Sequence, residues 1–491
     1  MQHLLATAVL LIAFCSAVIA EPVQPPAPYG ALPSHRQIEH SKLETYAFLH
    51  FTVNTFTDRE WGQGDEDENV FNPTDFKPDQ IVLAIKAAGL KGIVLTCKHH
   101  DGFCLWPTKA TDHNISKSSW MHGKGDVVKA ISEACKRHGL KFGIYVSPWD
   151  RNNANYGKPE YINIYRQQLT ELLTNYGPIF EVWHDGANGG SGYYGGARET
   201  REIDRKTYYH WPETWDIIRR LQPEANIFTD IGPDLRWVGN ESGVAPETSW
   251  ATYDPVGPNG DAPAPGYLKD QLSGEGTLNG TRWLPAECDV SIRPGWFWHP
   301  TENDKVKSPA TIFDVYCKSV GRGASLILNV PPDRRGQISD PDVQSLKGFG
   351  QMMHKTFDHN FAEHAHVVAT NVRGSDSHYG GQNLLSSDMN HYWATDDEAT
   401  YPMVEVDLGS RKTFDLIRLR EPIQLGQRVQ QFAFDAYIDG DWTEVKQATS
   451  IGNCRLIRLD KPITTDKVRI RILKCPAPPL LYGFGLFKVS E

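Results

Sequence analysis

The sequence predicts a two-domain α/β protein, a (β/α)8-type TIM barrel followed by a C-terminal antiparallel β-sandwich, and three observations predict it. Apolar strands alternate with amphipathic helices from residue 45 to about 335. Those strands are apolar throughout instead of at every second position, as strands covered on both faces are. Past about residue 360 the texture changes to short alternating strands broken by Asp-Gly and Asn turns, the pattern of an antiparallel sandwich. The boundaries follow: a processing signal over 1–20, the barrel over 21–340, a bridging helix and linker over 341–365, and the sandwich over 366–491.

The elements run in order. The first twenty residues, "MQHLLATAVLLIAFCSAVIA", carry an apolar stretch that ends at the small residue Ala20, which reads as a signal for export. No later run reaches the roughly 18 apolar residues of a membrane span. "TYAFLHF" and "GIVLTCKHHDGF" are strands followed by the helices "DQIVLAIKAAGLKG", closed near Gly89, and "DVVKAISEACKRHG", with Asp126 as N-cap and Gly139 as stop. "KFGIYVSPWD" leads to "YINIYRQQLTELLTNYG", and "IFEVWHDGA" to "TWDIIRRLQP". "NIFTDIGPD", "RWLPAECDVSI" and "SLILNVPPD" supply further strands, with late helices "TIFDVYCKSV" and "DVQSLKGFGQMM". This order fits a barrel, or a variant with some helices reduced. A doubly wound sheet would need a glycine-rich phosphate fingerprint after the first strand, and the sequence has none there.

Composition narrows the partners. A net charge of -10 over 491 residues is mild and argues against a nucleic-acid surface. Fourteen tryptophans and nineteen tyrosines serve either core packing or stacking on flat apolar faces such as sugar rings. Seven cysteines follow the signal, an odd number, and "CKHHDGFC" lacks the spacing of a zinc ribbon or finger; buried thiols are the expectation.

The chemistry gathers at strand ends. His50, His99 and His100, Tyr145, and Asp185 all fall where strands finish, and in a barrel those ends converge on the face that carries the active site. Asp185, beside Trp183 and followed by glycines, is the leading carboxylate. Its partner comes from a neighbouring loop, with Glu60, Asp230, Glu241 and Glu287 as candidates. Two such carboxyls can split displacement at an acetal carbon into two easier steps, one attacking and one protonating the leaving oxygen. Neutral histidines suit vicinal hydroxyls, and no metal-ligand pattern surrounds them. Arg236, between Leu235 and Trp237, is expected to face a carboxylate or hydroxyl. In "RPGWFWHP" the aromatics, Trp296 among them, could stack on a sugar face.

Taken together, "AFLHFTVNTFTDREWG", "GIVLTCKHHDGFCLWPTKATDHNI", "KFGIYVSPWD", "EVWHDGANGG", "RWVGNE" and "LILNVPPDRRG" resemble glycoside hydrolase family 29, the retaining α-L-fucosidases. The form is most similar to the subfamily that removes α-1,3- and α-1,4-linked fucose from Lewis-type glycans. The resemblance implies Asp185 as nucleophile and Glu241 as acid/base. It also implies fucose contacts from His50, Glu60, Trp61, His99, His100, Tyr145, Arg236 and Trp296, with Trp183 walling the pocket. It implies no cofactor for catalysis, and a fucosylated oligosaccharide or glycoconjugate as partner. Some sandwiches appended to such enzymes hold sugar or a structural calcium ion, though packing against the barrel is the expected role here. The long segment "GGSGYYGGARETREIDRKTYYH" departs from the pattern and is expected to shape the leaving-group side. Two other functions fit less well: a silent fucose-binding lectin, which would tolerate loss of either carboxylate, and a glycosidase of a galacto-configured sugar. Oligomeric state is not legible.

Overall fold

The computed structural model describes residues 23–269 and 274–490; the expected export signal lies outside them. Eight parallel strands form the barrel: β1 (Thr45–Leu49), β2 (Gly92–Lys98), β3 (Lys141–Val146), β4 (Glu181–Trp183), β5 (Asn226–Phe228), β6 (Arg236–Trp237), β7 (Ala286–Ser291) and β8 (Ser325–Asn329). They pair in the order β5-β4-β3-β2-β1-β8-β7-β6. A parallel bridge between Phe228 and Leu235 closes the remaining seam. Seven of these strands were legible as apolar runs. β6 was not, because it is two residues long and shows no period.

Among the described residues six helices of ten residues or more surround the barrel: α1 (Pro78–Ala87), α2 (Val127–His138), α3 (Pro159–Asn175), α4 (Trp211–Leu221), α5 (Pro309–Lys318) and α6 (Asp340–Phe357). Among the described residues no helix follows β5 or β6, so two units are reduced to loops. The ends of α2 are set as the sequence indicates. Asp126 accepts a hydrogen bond from Lys129 N at 2.8 Å, and Gly139 stops the helix at φ 74°. The expected bridging helix differs from expectation. α6 packs between α5 and α1, and its Leu346 and Phe349 join the barrel core. It is the last helix of the barrel.

The second domain is antiparallel, with β9 (His366–Ala369), β10 (Trp393–Ala394), β11 (Met403–Arg420), β12 (Gln431–Ile438), β13 (Asp441–Thr449), β14 (Arg455–Lys474) and β15 (Leu480–Phe487). The pairing runs β10-β15-β11-β14-β12-β13, with β9 on β11. Pairs of short strands in the sequence merge into the long β11 and β14, whose ladder shifts register between Asp407 and Lys412. β12 and β13 form a hairpin whose turn puts Asp439 and Gly440 at φ 51° and 92°, as an Asp-Gly turn does. Phe414, Phe432, Phe434 and Trp393 fill its core.

The sandwich docks on the N-terminal end of the barrel. Arg420 pairs with Glu44 at 2.5 Å, just before β1, and Arg455 with Glu247 at 2.8 Å. Gln427 Nε2 donates to Ser249 O at 3.0 Å. His50 and Asp185 sit at the opposite, C-terminal ends of their strands. Among the described residues the cysteines are unpaired, all buried except the half-buried Cys475. No described helix is long and apolar enough to cross a membrane.

Candidate active site

At the C-terminal face of the barrel two cavities share one wall. The smaller, about 160 Å³, is lined by Phe48, His50, Trp61, His99, His100, Tyr145 and Trp296. The larger, about 500 Å³, is lined by Arg205, Asp230, Trp237, Tyr267 and neighbours. Trp183, Asp185, Ala187, Glu241 and Asp289 line both. A ring-sized, aromatic-walled pocket therefore opens past two carboxyl groups into a roomier one.

Asp185 is the second residue after β4, so strand geometry presents it at the mouth of the barrel. Its Oδ1 accepts from the Ala187 backbone N–H at 2.6 Å and its Oδ2 from the Tyr145 hydroxyl at 3.0 Å. His100 Nε2 lies 3.8 Å from the same Oδ2. Two donors on separate oxygens hold the carboxylate in one orientation.

The histidines are held neutral by burial. Desolvation pushes His50 down to about 3 and His100 to about 4, although Asp185 draws the latter up; His99 falls well below its usual value for the same reason. Their tautomers follow from the network. Ser147 gives its proton to Trp149 O at 2.7 Å, so it accepts from His100 Nδ1 at 2.7 Å. Asn329 uses its amide N–H groups on Ser291 Oγ and Trp296 O, so its Oδ1 accepts from His50 Nδ1 at 2.8 Å. Both rings keep Nε2 as an acceptor for hydroxyl donors.

Glu241 is exposed on the loop after β6, and Trp296 Nε1 donates to its Oε2 at 3.2 Å. Trp61 is half exposed and meets His100 edge-on at 5.1 Å between centroids. Trp183 stacks on Phe228 at 4.2 Å and on Tyr145 at 5.3 Å.

Three expectations from the sequence need correction. Arg236 does not reach either cavity: its buried guanidinium donates to Leu284 O and to Gly274 O, the latter at 3.3 Å, and lies over the Tyr253 ring at 5.1 Å. It anchors the loop after β6, and β6 turns it toward that loop's carbonyls. Glu60 holds the Trp296 loop instead of lining the pocket; it accepts from Trp296 N at 2.8 Å, Phe297 N at 3.2 Å and His299 Nε2 at 2.5 Å. Glu287 is fully buried below Trp183, whose Nε1 donates to it at 2.8 Å, so it is no candidate for the acid/base. Of the remaining carboxyls, Asp230 lines the larger cavity and accepts from Gly266 N at 2.9 Å. The glycine-rich segment after Asp185 forms a ribbon, Gly190–Gly192 with Glu199–Arg201. It packs against Trp149; only Gly186, Ala187 and Arg205 of this stretch reach the larger cavity.

One carboxyl lining both cavities escaped the sequence reading. Asp289 lines both cavities, accepts from Trp237 Nε1 at 2.8 Å, and is driven well above the usual carboxylate range by burial, with Glu241 adding to the rise. The signal was the period of two in β7, which turns Asp289 inward together with Glu287 but two residues nearer the mouth.

An α-L-fucosidase family model matches residues 33–357. The chain belongs to the α-L-fucosidase family. An F5/8 type C domain model matches 366–481, the sandwich. α-L-fucosidase 1 of Arabidopsis thaliana is 39% identical over 94% of this chain and 88% of its own length. A glycoside hydrolase 29 family member from an unknown rumen bacterium superposes with TM-score 0.84 at 40% identity, over 94% of this chain and 78% of that one. A Ruminococcus gnavus GH29 fucosidase solved in complex with fucose superposes with TM-score 0.84 at 30% identity, over 96% and 98%. This fucosidase thus places its candidate carboxyls at the junction of two cavities.

Proposed function

We propose that the chain is a retaining exo-α-L-fucosidase, exported after cleavage past Ala20, that removes α-1,3/1,4-linked fucose from Lewis-type or related branched glycans. The observation that carries this reading is the shared wall: Asp185 and Glu241 line both a pocket sized for one deoxyhexose and the roomier cavity beside it. Fucose occupies the smaller pocket, with the Nε2 atoms of His50 and His100 accepting from its hydroxyls. The branched remainder of the glycan occupies the larger. Asp185 attacks the anomeric carbon while Glu241 protonates the departing oxygen. Glu241 then deprotonates the water that releases the fucosyl ester. The orientation set by Tyr145 and Ala187 on Asp185 supports an attacking role, and the exposure of Glu241 lets it exchange its proton with solvent.

The test compares Asp185→Ala and Glu241→Ala with the wild type on a Lewis-type trisaccharide, with and without azide. Both variants are expected to lose about 10³-fold or more in kcat. Azide should rescue Asp185→Ala to an inverted β-fucosyl azide and Glu241→Ala to a retained α one. An active Glu241→Ala would remove that residue from the mechanism, and glycan binding without cleavage by the wild type would favour the lectin.

A further inference from the structure

Beneath the sugar pocket lies a buried polar cluster that hydrolysis does not use. Glu287 on β7 and Glu181 on β4 are both fully buried inside the barrel. The two oxygens of Glu287 are engaged separately: Oε1 accepts from Trp183 Nε1 at 2.8 Å, and Oε2 from the Tyr46 hydroxyl on β1. Glu181 Oε2 lies 3.0 Å from Nε2 of His40, on the short helix His35–Ser41 that covers this end of the barrel. Glu181 Oε1 is buried and receives no conventional side-chain or backbone donor, and the carboxyl of Glu287 and the Tyr46 hydroxyl both lie against the Glu181 carboxyl. Two carboxylates in contact inside a barrel cannot both be ionised, and a proton between them satisfies both.

The other charged groups agree. Burial raises Glu287 well above the carboxylate range and Glu181 to about 8. It lowers His40 to about 4, so that ring is neutral, and its Nε2 shares a hydrogen bond with the Glu181 carboxyl. Asp234 also faces the cluster, but it is paired with Arg36 and Arg219. Ser325 on β8 lies 3.4 Å from the Tyr46 hydroxyl and carries no charge.

We propose that Glu287 is a positioning residue for fucose binding: a carboxyl pair with Glu181, joined by a proton between them, fixes the Trp183 indole that walls both cavities. Trp183 stands two residues after Glu181 on the same strand, so both side chains point inward, one above the other. The Glu287 acceptor is the polar partner of an indole otherwise held by stacking on Phe228 and Tyr145. Stacking alone leaves the ring free to slide in its plane, and the hydrogen bond removes that freedom. This inference rests on the assignment of the smaller cavity to fucose.

The experiment measures fucose affinity by calorimetry, and kcat and KM separately, for the wild type, Glu287→Leu, Glu287→Gln, Trp183→Phe and the Trp183→Phe/Glu287→Leu double variant. Glu287→Leu should weaken fucose binding and raise KM about tenfold, with kcat changed much less, as loss of one fixed hydrogen bond does. Glu287→Gln supplies an N–H for Glu181 and keeps an acceptor oxygen, so it should recover most of that loss. In the Trp183→Phe background Glu287→Leu should cost nothing further in KM, whatever it does to melting temperature. Wild-type KM should rise where the pair loses its last proton, on the alkaline side of the ordinary carboxylate range because burial raises both groups, and Glu287→Gln should abolish that rise. Fully additive effects in the double variant would overturn the proposal. So would a stoichiometric metal ion found by elemental analysis in the wild type and lost in Glu287→Gln. A wild type that binds fucose but does not hydrolyse it unseats the reaction assigned above and leaves these binding comparisons intact.

Discussion

At the scale of single residues, Trp296 ties the acid/base loop to the sugar pocket. Its indole donates to Glu241 at 3.2 Å, its backbone N–H donates to Glu60 at 2.8 Å, and its carbonyl accepts from Asn329 at 2.7 Å. Trp296→Phe keeps a ring against His50 but removes the donor, so the Glu241 carboxyl loses that restraint. The expected result is a fall of about tenfold in kcat/KM, read by steady-state kinetics on an aryl fucoside. Glu60→Gln, which loosens the whole loop, should be at least as damaging. The same residues show what a sequence can reveal. His50, His99, His100, Tyr145 and Asp185 were legible because a barrel turns the position "end of strand" into the position "in the pocket". Arg236 and Glu60 were misjudged because their directions depend on loop carbonyls and amides brought in from residues 274–297, a closure that no local pattern encodes.

At the scale of elements, the site is built by loops that replace helices. The chain between β6 and β7 brings Pro258, Gly266, Tyr267 and Leu268 to the larger cavity. It approaches the segment behind Asp185 so closely that a Cβ on Gly266 would lie 2.3 Å from Asn188 Nδ2 and 2.5 Å from Gly186 O. Gly266 also sits at φ 75°, where a side chain is strained. Gly266→Ala must therefore push this loop away from Gly186. A small aryl fucoside, which scarcely enters the larger cavity, should be cleaved with nearly unchanged kcat, while KM for a branched trisaccharide should rise several-fold, about 1 kcal/mol of lost contact. Equal losses on both substrates would mean that the loop supports the nucleophile and not the leaving group. The six long helices were readable from their period and caps, but the two-residue β6 carries no period, and the β5 and β6 units show no helix among the described residues. α6 was readable as a helix, yet its membership in the barrel depends on packing against α5 and α1, which sequence spacing does not express.

At the scale of the whole molecule, the barrel interior holds ionisable groups in their neutral forms, and this sets how stability varies with pH. His40 and His100 fall to about 4, His50 and His184 to about 3, in each case by burial first. The unfolded chain binds protons on these rings below about 6.5, and the folded chain does not until pH 3 to 4. The unfolded state therefore binds more protons in that window, and stability falls as pH drops from 6.5 toward 4. The buried carboxyls act in the opposite sense. Asp101 rises to about 7, by burial and then by Glu66, and Glu181 to about 8 by burial. Their unfolded counterparts ionise near 4, so the folded chain holds the extra protons, and stability falls as pH climbs from about 4 through 7 to 8. The two slopes have opposite signs and overlap; four rings outweigh two carboxyls until about half of the unfolded imidazoles have lost their protons, so the melting temperature should peak between about pH 6 and 7 and decline on both sides. Differential scanning calorimetry from pH 4 to 9 measures this directly. Glu181→Gln removes one of the titrating carboxyls, whose opposing contribution spans about pH 4 to 8, and should flatten the alkaline decline while steepening the acid one. A flat profile from pH 5 to 8.5 in the wild type would mean that water or counter-charge reaches these groups and that the barrel interior is less dry than its packing implies.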